Sequence, residues 1–304
     1  MSSSHHEIGS LTDGERRSAQ TLIDLALAED LSQLGDVTSA TLIPAEARGT
    51  VQIVARQRGV LSGLPLASMV FQQVDPRIEV APRVSDGARL ERGTIVADVT
   101  GPVRGLLTGE RTMLNFLTHL SGIASLTRRF ADAIAGTRAV LLDTRKTLPG
   151  YRLLQKYAVR CGGGQNHRMG LYDAVLIKDN HLAAWISSGS HTIAEAIQSA
   201  RAQVPTDVTV EVEVDSLRQL REALSAGPDI VLLDNMTLDL LRESVALRDE
   251  LASNVRLEAS GGVTLETVRE IAETGVDRIS SGALTHSAIA LDLAFDWSAA
   301  LPRE

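Results

Sequence analysis

A single cysteine, Cys161, excludes an internal disulfide framework and any cysteine-based zinc cluster. Packing beside the glycine run at 162–164 is its expected role. Aromatic residues are scarce at 3 % of 304, so the core has to be built from Leu, Val, Ile and Ala, as in parallel α/β folds. No apolar run approaches the length of a membrane span, and the N-terminus has no hydrophobic signal core. A cytoplasmic protein with no membrane partner is therefore expected. A basic balance is also missing: the formal net charge of -8 argues against nucleic acid as a partner, because phosphate affinity needs a basic surface. No Walker sequence occurs, and no G-x-G-x-x-G follows the first strand of the parallel region described below.

What the chain does have is a concentration of cations between residues 141 and 181, LLDTRKTLPGYRLLQKYAVRCGGGQNHRMGLYDAVLIKDNH. Arg145, Lys146 and Lys178 each follow a strand-like apolar run, and His167 and Arg168 follow the glycines. A charge that close to a core needs an anionic partner. Asp143, Asp173 and Asp179 could supply it internally; the other candidate is a ligand with several negative charges, held by guanidinium forks and lysine point charges.

The organisation around that stretch reads as two parts. Residues 1–20 are expected to be a disordered tail, in which His5 and His6 are too little for a metal site. Helical spacing covers 21–34 and 66–74, a strand covers 50–60, and short β-like pieces at 78–80, 94–99 and 103–106 lie between glycine and proline turns. This gives a small open sheet packed by one or two helices, an α+β domain ending near residue 109. A linker helix or helix pair over 110–134 is interrupted at Ser121-Gly122 and has Arg111 near its start, where free backbone N–H groups favour anions.

From 138 the pattern is strand, helix, strand, helix. The strands are 139–142, 174–177, 208–214, 230–233, 255–259 and 278–281, with helices at 151–159, 192–202, 216–225, 238–252 and 265–274. Repeated βα units imply a parallel sheet with right-handed crossovers. Polar residues fall at the C-terminal end of every strand, which in a barrel converge on one mouth. With about six units, an incomplete α/β barrel over 121–284 is expected. At that mouth, Ser260-Gly261-Gly262 and Ser280-Ser281-Gly282 have the composition of a phosphate cradle, although glycines also simply end strands. Glu213 and Asp234, from adjacent strands, suit sugar hydroxyls or Mg²⁺, and Glu211 lies one layer deeper as a structural partner. Two rival chemistries fit some of these residues: Schiff-base cleavage by Lys178 and non-catalytic binding of phosphorylated sugars.

The motifs LALAEDLSQLGDVTS, GERTMLNFLTHLSGIA, DTRKTLPGYR, CGGGQNHRMGLYDAVLIKDNH, VEVEVDSL, LLDNM, EASGGV and ISSGALTH, in this order, resemble the quinolinate phosphoribosyltransferase family. The resemblance covers nearly all of the chain after the tail. It implies an N-terminal α/β sandwich domain, expected over 21–120 with 285–304 packing back on it, plus an incomplete α/β barrel, and transfer of phosphoribosyl from phosphoribosyl pyrophosphate (PRPP) to quinolinate with decarboxylation, in NAD biosynthesis. It also implies a homodimer in which Arg111 is donated across the interface. Arg111, Thr144, Arg145, His167, Arg168 and Lys178 would bind quinolinate. Lys146, Glu213 and Asp234, with residues 260–262 and 280–282, would bind PRPP. Lys146, Lys178, Glu213 and Asp234 would be the catalytic residues, with Mg²⁺ as cofactor, held mostly by PRPP and otherwise by Glu213 and Asp234.

Overall fold

The computed structural model describes residues 9–189 and 191–297, and among these the chain falls into two compact units. The first takes in 9–128, 147–163 and 284–297. It opens with α1 (Asp13–Leu31), which begins well ahead of residue 21, so residues 13–20 are helix rather than tail. The cause is a capping box: the Thr12 hydroxyl accepts from the Glu15 N–H at 3.2 Å and the Thr12 N–H donates to the Glu15 carboxylate at 2.9 Å. Apolar spacing alone does not reveal it, because the buried residue of the first turn is Glu15, paired with Arg160 at 2.7 Å. The rest of the expected tail, with His5 and His6, lies outside the described residues.

α2 (Val37–Leu42), capped by Asp36, follows. Next come β1 (Arg48–Ala55), β2 (Gly59–Val60), α3 (Leu64–Val74), β3 (Glu79–Pro82), β4 (Arg89–Leu90), β5 (Ile95–Pro102), α4 (Val103–Ala133) and α5 (Arg152–Cys161). The antiparallel sheet runs β1, β5, β3, and on its other side β1 pairs with a strand from near the other end of the chain, Leu293–Trp297. β2 and β4 form a separate ribbon. Buried Asp86 accepts from the Gly63 and Leu64 amides at the start of α3 and from the Tyr157 hydroxyl of α5 at 2.6 Å.

Two expectations fail at α4. Residues 103–106 are its first turn, not a strand, and Ser121-Gly122 does not interrupt it. Both small residues serve close packing. The Ser121 hydroxyl accepts from the Ser62 N–H at 3.0 Å and donates to the Ser62 carbonyl at 3.2 Å, while a Cβ on Gly122 would collide with the Ile289 carbonyl oxygen.

The second unit takes in 129–146 and 164–283 and holds six parallel strands. They are β6 (Val140–Leu142), β7 (Ala174–Ile177), β8 (Thr209–Val214), β9 (Ile230–Asp234), β10 (Arg256–Ser260) and β11 (Arg278–Ser280). The connecting helices are α6 (Asp179–Ser187), α7 (Ile193–Gln203), α8 (Leu217–Ala226), α9 (Leu238–Leu251) and α10 (Val268–Glu273). Of these, α6 has no counterpart in the apolar spacing and starts directly at Asp179. The helix expected at 151–159 is α5, which belongs to the first unit.

The spatial order is β6, β11, β10, β9, β8, β7. The first strand pairs with the last and all others follow chain order, which is the order of a barrel and not of a doubly wound sheet. β6 and β7 do not pair, so the barrel is incomplete there. In that seam Gln165 makes a single parallel bridge with Leu142. Among the described residues no helix is long and apolar enough to cross a membrane.

Gly122→Ala should destabilise the protein by roughly 1–3 kcal/mol through overpacking, against the usual helix-propensity gain of Ala over Gly. Thermal melting checks this, and a raised Tm would show that the chain has room at Ile289.

Candidate active site

Hydrogen-bonded neighbours in a parallel sheet share a face, and alternate residues along each strand share it too. The register sets Glu213 opposite Leu232, Leu232 opposite Glu258, and Glu258 opposite Arg278. Asp234 and Ser260 are paired one step nearer the C-terminal ends, and Glu211 lies opposite Ile230 one step deeper. Four adjacent strands therefore bring Glu211, Glu213, Asp234, Glu258, Ser260 and Arg278 to one face. The other face carries Val210, Val212, Val231, Leu233, Leu257 and Ile279, all buried.

The deep layer is closed to solvent. Glu211 is 1 % exposed, Glu258 0 % and His167 9 %. His167 Nε2 lies 3.3 Å from a carboxylate oxygen of each glutamate, and the Arg278 Nε donates to the other oxygen of Glu258 at 2.7 Å. Burial alone would raise the pKa of Glu258, but His167 and Arg278 overcome it and bring it to about 2. Burial and then the charge of Glu258 push Glu211 upward.

Two influences oppose each other at His167. Burial disfavours a charged ring, and the two carboxylates favour one strongly enough to shift its pKa upward. The Arg168 amide, however, donates to Nδ1 at 2.8 Å. A second proton on Nδ1 would set two N–H groups face to face, so the hydrogen bond is the tighter constraint.

Asp143, fully buried at the end of β6, fixes the same segment from the other side. Its carboxylate accepts from the His167 N–H at 2.9 Å and from the Asn166 side-chain amide at 2.6 Å. Asp143 thus has internal partners, as do Asp173, which accepts from the Met169 and Gly170 amides, and Asp179, which accepts from the Asn180 amide.

The cations beyond the strand ends are differently placed. The Arg168 guanidinium reaches the Ala174 carbonyl at 3.1 Å, and burial followed by repulsion from Arg145 lowers its pKa. Arg145 Nε is buried and, among the described residues, has no hydrogen-bond partner. Two guanidiniums close enough to repel, one with an orphaned donor, point to an anionic group between them. Thr144 accepts from the Lys146 amide at 3.0 Å and so shapes the turn that exposes Lys146. Lys178, immediately before α6, donates to Glu213 at 2.6 Å.

At the last two strands Ser260 leads into Gly261 (φ +90) and Gly262 (φ +58), both in the left-handed region. A Cβ at Gly261 would collide with the Asn235 side chain, which donates to Asp234 at 2.8 Å. Ser280 and Ser281 are buried, and the Ser281 hydroxyl donates to the Val263 carbonyl at 3.2 Å. At Ser281, what remains to offer a phosphate is thus backbone, not hydroxyl. Gly282 follows directly.

Glu213 and Asp234 are two carboxylates without a protein cage. Among the described residues the one close group of three metal-ligating side chains is His167, Glu211 and Glu258, in which Glu258 is level with Glu213 and Glu211 one step deeper. So sparse a donor set fits Mg²⁺, which takes one or two carboxylates together with substrate oxygens.

Arg111 lies in the other unit, exposed on α4 and well inside the helix that starts at Val103. The free N–H groups expected near it belong to a different turn. Sequence reasoning missed Glu258 and Arg278. For Glu258 the signal was present in RLEAS, where a carboxylate stands between Leu257 and Ala259 in the buried middle of the strand.

The model of the quinolinate phosphoribosyl transferase C-terminal domain matches residues 123–296, and that of the N-terminal domain matches 36–121. A nicotinate-nucleotide pyrophosphorylase (carboxylating) of Mycobacterium leprae is 47 % identical over 288 residues, 94 % of this chain and 99 % of that protein. A mitochondrial quinolinate phosphoribosyltransferase (decarboxylating) of Nicotiana tabacum is 41 % identical, over 90 % and 80 %. Among solved structures, the nicotinate-nucleotide pyrophosphorylase of Francisella tularensis superposes with a TM-score of 0.86 at 37 % identity, covering 96 % of this chain and 99 % of that one. Two consecutive domain models, a near full-length relative and an inner sheet face that gathers cations and carboxylates agree: the chain belongs to the quinolinate phosphoribosyl transferase family.

Proposed function

We propose that the chain transfers phosphoribosyl from PRPP to quinolinate with loss of carbon dioxide, giving nicotinate mononucleotide and pyrophosphate in the de novo route to NAD. The observation that carries this reading is the Arg145 and Arg168 pair, beside the carboxylates of β8 and β9. An aromatic diacid satisfies the first and an activated ribose the second.

In this reading Arg145, Arg168 and Lys178 take the two carboxylates of quinolinate, with Thr144 shaping the turn and His167 behind them. Lys146 faces the leaving pyrophosphate, Glu213 and Asp234 orient the ribose hydroxyls, and residues 260–262 and 280–282 line the phosphate. Mg²⁺ held by PRPP, Glu213 and Asp234 would neutralise charge on the pyrophosphate. The bond from the ribose anomeric carbon to the pyrophosphate oxygen breaks as the pyridine nitrogen forms its bond to that carbon. The ring nitrogen is then cationic and accepts the electron pair left when the adjacent carboxylate departs as carbon dioxide, and a proton takes the vacated ring position. Lys178, paired with Glu213, ties the quinolinate side to the ribose side. Holding two reactants together in a reactive geometry can supply ~7–11 kcal/mol of a barrier. The enzyme works in the cytoplasm as a homodimer, with Arg111 reaching the partner's site.

Pyrophosphate release with PRPP and Mg²⁺ should be faster with quinolinate than with nicotinate by roughly 10²-fold or more in kcat/KM, because the monoacid leaves part of the positive charge unpaired. Comparable efficiency would remove the diacid reading. Separately, Arg111→Ala and Lys178→Ala subunits, each inactive alone, should recover roughly a quarter of wild-type activity when mixed and reassembled, since random pairing leaves one intact site in half of the dimers. No recovery would mean that each site is built from one chain.

A further inference from the structure

His167 stands among the cations that the family resemblance assigns to quinolinate, yet its surroundings give it a different task. Both ring nitrogens are engaged inside the protein. Nε2 faces Glu211 and Glu258 at 3.3 Å each, and Nδ1 accepts the Arg168 amide at 2.8 Å. The ring is 9 % exposed. Behind it, Arg278 clamps Glu258 at 2.7 Å, and Asp143 holds the His167 amide at 2.9 Å. In front of it comes Arg168, whose guanidinium is held on the Ala174 carbonyl next to Arg145.

We propose that His167 is a positioning residue for Arg168 and does not itself bind the diacid: Glu258, clamped by Arg278, keeps a proton on Nε2, and the proton-free Nδ1 anchors the Arg168 amide. The order of dependence is then Arg278, Glu258, His167, Arg168, ligand. A hydrogen bond to the backbone of Arg168 fixes where its side chain starts, so an error there is passed along the whole arginine to the carboxylate it grips.

The same three side chains could be read as a metal site, since their ligand atoms lie within 4.8 Å of one another. The tautomer argues against it. A metal-bound histidine carries a proton on its other nitrogen and donates it, whereas here Nδ1 is an acceptor. A cation on Nε2 would leave the ring with no proton at all. The cluster therefore stores a proton where a metal site would store an ion.

This role deepens the reading of the site as a quinolinate site, and two measurements keep them apart. In nitrogen-15 labelled wild-type protein without substrates, His167, assigned by its loss in His167→Asn, should show the tautomer protonated on Nε2 alone. A doubly protonated ring, or a proton on Nδ1, overturns the proposal whatever the enzyme's substrate. The second measurement compares two isosteres. Asn at 167 can place an acceptor where Nδ1 was, while Gln can place a donor where Nε2 was but leaves the Arg168 amide unpaired. KM for quinolinate should rise about tenfold more in His167→Gln than in His167→Asn, with a smaller change in kcat. Equal or better binding by the Gln variant would mean that Nε2 serves the ligand directly. An enzyme inactive on quinolinate would remove the substrate reading and leave the tautomer result standing.

Discussion

A charged group sealed inside a protein has to be matched, and in this chain that requirement is concentrated on Glu258. It sits in the middle of β10 with no exposed surface, where an isolated carboxylate would be costly by several kcal/mol. Arg278 from the neighbouring strand and His167 from the segment after the glycine run both turn toward it. Asp143 plays the same part at the end of β6 and uses backbone and amide donors rather than charges. The loop that carries Asn166, His167 and Arg168 is thus pinned on two sides by buried carboxylates. That is why a loop, normally the most adaptable part of a barrel, can hold an arginine in a fixed place.

The sheet supplies the second ingredient, which is layering. Because the register is continuous across β8, β9, β10 and β11, side chains of one face arrange themselves by depth. Structural charges, Glu211 and Glu258, occupy inner rows, and Asp234 and Ser260 occupy the row nearest the mouth. Glu213 lies between these roles: it is level with Glu258 in register yet pairs with half-exposed Lys178. Residues that must stay dry and residues that must meet a ligand are separated by about one strand step, roughly 6–7 Å.

Much of this was legible in the sequence. The parallel strands were found to within a residue or two because strands buried on one face by Val, Ile and Leu, and ending in polar groups, leave a strong pattern. Arg145, Lys146 and Lys178 stand out because each follows such a run. Less legible was anything decided by contact rather than by period. Ser121 and Gly122 look like a helix break, yet their smallness answers to Ser62 and Ile289, residues far away in the chain. Helix α1 starts on a side-chain cap that an apolar count does not register. Glu258 and Arg278 were passed over because a lone charge in a strand has no meaning until its partners are known, and these come from the segment after the glycine run and from the next strand.

The seam between β6 and β7 has a mechanical side. Everywhere else around the sheet, ladder hydrogen bonds fix the spacing of adjacent strands, but β6 and β7 share none, and the open edge of β6 carries the isolated bridge from Leu142 to Gln165. Arg145 follows β6 and Lys178 follows β7, so the two cations stand on opposite lips of the one joint that the barrel leaves unglued. With no ladder between β6 and β7, backbone pairing does not fix the distance between those two lips.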